Sequence, residues 1–470
     1  MRKLTGILLL AAAGIITGGC AAYHPNPLTE ESVNSALQVP DVSVLTLSID
    51  SLQQHVQNPI AIDLSDGLSP DEAAVIALLE NPGLKAMRDQ RGLADAQLLQ
   101  ARILPDPSID ASLDVPVGGT RDGAATGKAI GIGWDAGSLI TRPARVREAK
   151  YNRDSIQLDI AWQEWQVAQS ARIGVYRLAT LQRQCELARE TDENLKENAA
   201  AVQKALMEGV MTELNFSAAE AASNQAHSQY LSLMREASQQ QYQLLRVIGL
   251  PEDSPLQLEP DAEAPDSLLP LSIDSLKSGL LSRRLDLIAL RRGYDAQEER
   301  VRAAILEQFP GIQIGMNKAT DTGNLISTGG GISINLPLFD RNRGQIAVER
   351  ATRQMLFDEF TARVHEAHSD IASLHDVILS LNEQINTAEN SIPNLERLVN
   401  AYRQALREHQ ADILSYYTAW NDLTNKRIEL LSLRQELVEA RIALEIAAGI
   451  FQQDRVKSFI TLPATREGLQ

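Results

Sequence analysis

The sequence predicts a mainly α-helical protein with a small β part. A unit of strand pair, long helix and helix is duplicated, and three chains share a twelve-stranded barrel and a helical tunnel. Three observations predict it: two very long runs of heptad periodicity, two short ribbons of strict two-residue alternation, and self-similarity at an offset of 200 residues.

The chain opens with MRKLTGILLLAAAGIITGGC. Arg2 and Lys3 precede an apolar run from Leu4 to Ile16, which is a secretory signal over 1–19 and too short to span a bilayer. Cys20 follows Gly18 and Gly19, so it reads as the acylated first residue of a bacterial lipoprotein. Thr17 stands where leucine is usual, and an ordinary cut near Ala21 is the alternative. Cys185 is the only other cysteine, so no disulfide framework exists.

At the offset of 200, Leu181, Gln184 and Ala188 meet Leu381, Gln384 and Ala388, and Leu231-Ser232-Leu233 meets Leu431-Ser432-Leu433. Roughly a quarter of positions match over this span, as an old internal repeat would give. Each half runs in the same order. A helical segment (about 70–102, then 271–308) passes a proline (Pro105, Pro310) into two strands. A long helix follows (about 144–208, then 345–408), then a break and a second helix (about 214–249, then 413–449). The Pro- and acid-rich stretch 251–270 reads as the linker.

In the second long helix, Phe360, Val364, Ala367, Ile371, Leu374, Ile378, Leu381, Ile385, Ala388, Ile392, Leu395, Val399, Tyr402 and Leu406 recur at steps of four and three. Leu181, Cys185, Ala188, Asp192, Leu195, Ala199, Val202 and Leu206 repeat the register earlier, with Asp192 its one polar member. Such a period makes a left-handed supercoil. Some 65 residues span roughly 100 Å, so these helices run side by side as a rod or a tube. Cys185 reads as a small core residue of this stripe.

The strands alternate. Ile109, Ala111, Leu113, Val115 and Val117 oppose Asp110, Ser112 and Asp114; Ile130, Ile132 and Trp134 oppose glycines. Ile312, Ile314 and Met316 oppose Gln313 and Asn317; Ile332, Ile334, Leu336 and Leu338 oppose Ser333 and Asn335. Period two with one polar face describes a half-buried sheet, and also a transmembrane strand with its apolar side in lipid. Amphipathic hairpins on a soluble core are the competing reading. Four strands cannot close in lipid, so spanning strands require oligomerisation; two chains give eight strands with a filled interior, three give twelve with room for a lumen, and a tube of heptad helices favours three. The stretch GGGISINLPLFDRNRGQ then explains itself. The strand returns toward the helices, Pro337 ends its ladder, and Phe339, Asp340, Arg341, Asn342, Arg343 and Gly344 turn the chain into the long helix.

Net charge is −17 and aromatics are 4%. That balance argues against nucleic acid. No nucleophile elbow, zinc signature or Walker motif occurs, so no enzyme and no cofactor are expected. Glu208, Glu213, Glu408 and Asp412 lie at the two helix breaks, where copies in an oligomer form acidic rings that favour cations. Solvated helix-end charges are the alternative. His365, His368 and His375 share one helix face and are the metal candidates, against a reading as polar residues on a wet face.

The ordered set of elements behind a lipoprotein-like signal resembles the TolC-type outer-membrane efflux proteins over about 70–450. LPLFDRNRGQI, 336–346, is similar to the metal-efflux and related RND outer-membrane components such as CzcC and CusC. Asn81-Pro82 after ALLE resembles an early family element. HQADIL, 409–414, resembles the tip motif, and EGVMTEL, 208–214, its first copy. His409 stands where glycine is usual, and Thr212-Glu213 where Asp-Val is.

The resemblance implies a homotrimer in the outer membrane with a periplasmic tunnel, lipid-anchored through Cys20. It implies an anchor and equatorial segment at 20–69, repeats at 70–250 and 271–450, and a tail at 451–470. The implied function is a passive exit duct for metal cations or small toxic compounds, delivered by an inner-membrane RND-type pump and a periplasmic adaptor. The tip, with Glu208, Gly209, Thr212, Glu213, Glu408, His409 and Asp412, would gate and meet the adaptor. A trimeric coiled-coil envelope protein without transport is the alternative.

Overall fold

The computed structural model describes residues 23–37, 66–119, 123–259, 272–408 and 410–450. The chain forms two compact units, Met1–Val44 and Leu45–Gln470. The described part of the first holds one short helix, α1 (Glu30–Leu37). Cys20, His409, the linker core 260–271 and the tail 451–470 lie outside the described residues.

In the second unit, α2 (Pro70–Glu80) and α3 (Pro82–Arg102) lead to β1 (Ser108–Asp114) and β2 (Gly127–Asp135). The long α4 (Ser138–Met207) and α5 (Glu213–Ile248) follow. The second half runs α6 (Ile273–Lys277), α7 (Leu280–Arg283), α8 (Leu285–Leu306), β3 (Gly311–Thr320), β4 (Ile326–Asn335), α9 (Arg343–Arg407) and α10 (Ile413–Ala448). The helical segments expected as continuous over 70–102 and 271–308 are therefore broken. Asn81 stops α2 because Pro82 cannot donate to it, and Asn81 Oδ1 accepts from Leu84 N at 3.0 Å to start α3. Ser272 caps the start of the second segment, and Ser278-Gly279 and Arg284 interrupt it.

The two halves repeat in atomic detail where these breaks sit. α5 and α10 both end on a left-handed glycine, Gly249 at φ 79° and Gly449 at φ 64°. A Cβ on Gly249 would meet Glu80 O at 2.5 Å; one on Gly449 would meet Arg284 Cγ at 2.8 Å. Asn81 Nδ2 donates to Val247 O at 2.8 Å, and Arg284 Nη1 donates to Ala447 O at 3.3 Å. Under each joint lies a core. Ile76, Ala171, Val175, Leu244 and Ile248 form one; Leu276, Leu280, Ile371, Ala447 and Ala448 form the other. Ala171 and Ile371, like Ile248 and Ala448, are 200 positions apart. Arg284 is buried, gripping Asp286 with two nitrogens and lying 5.0 Å above the Trp162 ring.

Near the sheet, α3, α4, α8 and α9 pack in that order; farther away the order is α5, α4, α10, α9. In α9 every member of the expected stripe is buried or half-buried, because the heptad meets α10 along its length. In α4 the register differs. Ala188, Leu195 and Val202 are buried, but Gln184 and Thr191 replace Cys185 and Asp192 as the second column. Polar groups can occupy that column because they are paired. Gln184 Nε2 donates to Ile428 O at 3.2 Å and Ser432 Oγ at 2.8 Å, and the Thr191 and Thr424 hydroxyls meet at 3.2 Å. Cys185 is half-buried, and Asp192 turns to His227 Nδ1 at 3.0 Å.

Candidate functional site: a one-faced sheet and a double helix break

The two strand pairs form one antiparallel sheet in the order β1-β2-β3-β4. The registers Ile109↔Ile132↔Met316↔Gly330 and Trp134↔Ile314↔Ile332 put the expected apolar residues on a single face. Ile312↔Ile334 and Ala111↔Ile130 extend it. Among the described residues nothing covers this face: Ile109 is 73% exposed and Ile332 71%. The opposite face carries Ser108, Asp110, Ser112 and Asp114, the glycines and Ala129 of β2 with Asp135, then Gln313 and Asn317, and Ser327, Ser333 and Asn335. β1 and β4 each have one unpaired edge.

Leu336, expected as a strand residue, lies past the end of β4, as do Leu338 and, beyond β1, Val115 and Val117. Pro337 and Pro116 lack the N–H that another rung requires. The turn after β4 also differs from expectation. Arg343 and Gly344 already belong to the first turn of α9, and the reversal falls on Arg341 and Asn342, both left-handed at φ 47° and 54°. Asn342 holds it, its Nδ2 donating to Ala304 O at 2.8 Å and Glu307 Oε2 at 3.2 Å. Asn342 thus anchors the junction to the end of α8. Its one sequence signal was the tolerance of asparagine for positive φ. Asp340 O accepts from Arg343 N at 3.1 Å, and Phe339 is 98% exposed.

At the other end of the long helices the structure brings the two breaks together. Met211 and Phe216 from the first pack with Ile413, Tyr416 and Tyr417 from the second, over Leu195 and Val202. Burial, then the neighbouring Tyr416, pushes the Tyr417 hydroxyl up to about 12, so it stays protonated. Glu208 ends α4, Gly209 follows at φ 74°, and Thr212 Oγ1 accepts from Asn215 N at 3.2 Å to start α5. Glu213 sits in the first turn of α5. Glu408 ends α9 and accepts from Gln404 Nε2 at 3.0 Å; Asp412 occupies the N-cap of α10 without a side-chain cap bond. All these carboxylates are exposed. Met207, Val210, Leu214 and Leu414 are exposed beside them. Arg403 lies 5.4 Å above the Trp420 ring.

His365 and His368 are exposed on α9, and His375 is half-buried with Nδ1 3.6 Å from Asp376. Among the described residues no group of three or more histidine, cysteine or carboxylate side chains is placed to hold a metal ion. No helix among them is long and apolar enough to cross a membrane.

Three comparisons bear on what this arrangement is. Residues 276–450 match the model of the outer membrane efflux protein family. No curated protein matches the chain by sequence. Among solved structures, CusC is similar over 84% of this chain and 96% of its own, at 18% identity and TM-score 0.68. The outer membrane protein VceC of Vibrio cholerae matches over 81% and 96%, at 19% identity and TM-score 0.68. The CmeC outer membrane channel of Campylobacter jejuni matches over 84% and 90%, at 14% identity and TM-score 0.71. The fold is thus that of these channels across both halves, and the family model matches the second of them, residues 276–450.

Proposed function

We propose that the chain is the outer-membrane duct of a tripartite efflux system, passive in itself, fed by an inner-membrane RND-type pump through a periplasmic adaptor. The observation that carries the proposal is the sheet: apolar residues on one face, small and polar ones on the other, and two open edges. Open edges are not tolerated in hydrocarbon, and four strands enclose nothing. Pairing β4 of one copy with β1 of the next closes twelve strands in three copies, wide enough for a lumen. Ile109, Leu113, Ile130, Ile132, Trp134, Ile312, Ile314, Ile332 and Ile334 then face lipid.

The helix breaks form the periplasmic mouth. The exposed apolar residues around Glu208–Leu214 and Leu414 fit an adaptor, and the carboxylates Glu208, Glu213, Glu408 and Asp412, repeated in each copy, favour cations. Metal cations or small toxic compounds are the cargo in this reading, and an acyl group on Cys20 anchors the mature chain. The full chain, purified in detergent and placed in planar bilayers, should give steps of cation-preferring conductance and a trimer by native mass spectrometry. A trimer that never conducts would instead support the structural coiled-coil reading; a monomer would sink both.

A further inference from the structure

The apolar face of the sheet carries two charges, and both are lysines. Lys128 on β2 pairs with Thr320 on β3, and Lys318 on β3 pairs with Thr328 on β4. Ile130 pairs with Lys318, so the two lysines are diagonal neighbours on adjacent strands, about 7–8 Å apart at the backbone. They lie toward the end of the sheet remote from the helices, beside the turns that join the strands. The strand carboxylates Asp110, Asp114 and Asp135 are all on the other face. Asp321, next to the site, is occupied by its own turn, accepting from Gly323 N at 2.8 Å and Leu325 N at 2.9 Å. Both lysines are exposed, and among the described residues neither has an ion-pair partner.

We infer that Lys128 and Lys318, with Thr320 and Thr328, bind the phosphate of an anionic glycolipid headgroup at the outer rim of the barrel. The inference rests on the outer-membrane reading above. On the lipid side of such a barrel a lysine is destabilising at the bilayer midplane and nearly neutral at the interface. Two of them on one face therefore mark the headgroup level, with the isoleucine rows below marking the acyl chains. Lysine stems lie along apolar surface and lift the ammonium outward. Leu113 and Ile326, exposed in the same row as Lys128, offer that surface. Two ammoniums and two hydroxyls then lie on one face, and the one carboxylate described beside them, Asp321, is turned to its own backbone. A phosphate supplies the missing charge and the acceptor oxygens.

The test uses the full chain, delipidated in a mild detergent, with lipid binding read by native mass spectrometry. The probes are diphosphoryl lipid A and its phosphate-free analogue. The wild type should retain the phosphorylated form selectively. K128Q/K318Q should bind it roughly 10- to 30-fold more weakly. K128R/K318R should bind it like the wild type, and excess inorganic phosphate should not displace it. Equal retention of the two lipids, or equal binding by wild type and K128Q/K318Q, overturns the inference. So does displacement by inorganic phosphate, which would make this a site for a free ion. The same spectra report assembly. Absence of a closed oligomer in the wild type counts against the barrel itself, whereas a normal oligomer with charge-blind lipid binding counts against the lysine site alone.

Discussion

A single residue, Asn342, ties strand to helix. Alanine there would have to hold φ near 54°, costing about 1–2 kcal/mol, and would forfeit the hydrogen bond to Ala304 O, worth about 1 kcal/mol. Asn342→Gly should recover the backbone part only. Thermal unfolding of the two variants should rank wild type, glycine, alanine; alanine equal to wild type would mean that the turn is held elsewhere. Arg284 is a second such residue. Asp286→Asn leaves a buried guanidinium without its counter-charge, and destabilisation of about 3–5 kcal/mol is expected in denaturant titration. Cys185 behaves more quietly. Burial, then the charge of Glu236, pushes its thiol up, so less thiolate exists at neutral pH than in a free thiol. Its alkylation in the folded chain should be slower than in denaturant; equal rates would contradict the packing seen.

Elements were legible in the sequence to different degrees, for physical reasons. α9 was readable because its core column is purely apolar, and a 3.5-residue period of Ile, Leu and Val has one structural solution. In α4 the column of Ala188, Leu195 and Val202 is legible, whereas the second column lies one position away from the apolar periodicity because Gln184 and Thr191 are buried polar residues, and hydropathy sees only their polarity. Their burial depends on Ser432 and Thr424 across α10, more than 230 residues away. The strand faces were legible by alternation, whereas the β2–β3 pairing that fuses two hairpins into one sheet has no local signal. The helix breaks could be located in the sequence, but their joint packing through Phe216 and Tyr417 could not. The threonine pair gives an element-level prediction. Thr191 Oγ1 also donates to Leu187 O at 2.9 Å, so Thr424 is the donor of the pair; Thr191→Val strands the Thr424 hydroxyl and costs about 1–3 kcal/mol, while the double change Thr191→Val with Thr424→Val should be closer to neutral. A double-mutant cycle in urea reads this directly, and strictly additive losses would refute it.

For the whole molecule, the proposed barrel and mouth make separate predictions. Ile332→Arg should reduce trimer yield, by about 2–4 kcal/mol if the position lies near the bilayer midplane, while Ser333→Arg on the opposite face should be tolerated. Equal yields from the two variants would remove the barrel assignment. At the mouth, replacing Glu408 and Asp412 by alanine should lower the cation preference of single trimers, because rings of carboxylates attract cations, and raise their conductance if these groups help to hold the mouth closed. Unchanged selectivity and conductance would reduce these carboxylates to solvated helix ends.

The joints at Gly249 and Gly449 also have a mechanical consequence. Each closes a helix of 36 residues, a bar about 54 Å long. Turning such a bar by one degree about its fixed end carries the free end sideways by about 1 Å. The clearance at the pivot is small: a methyl group at Gly449 meets Arg284 at 2.8 Å, so seating it requires a displacement of several tenths of an ångström. Applied across the width of a helix, that displacement is a rotation of a few degrees, which the bar magnifies into several ångströms at the breaks. Leverage of this kind makes a hydrogen atom at the pivot as consequential for the far aperture as a whole side chain at the aperture itself.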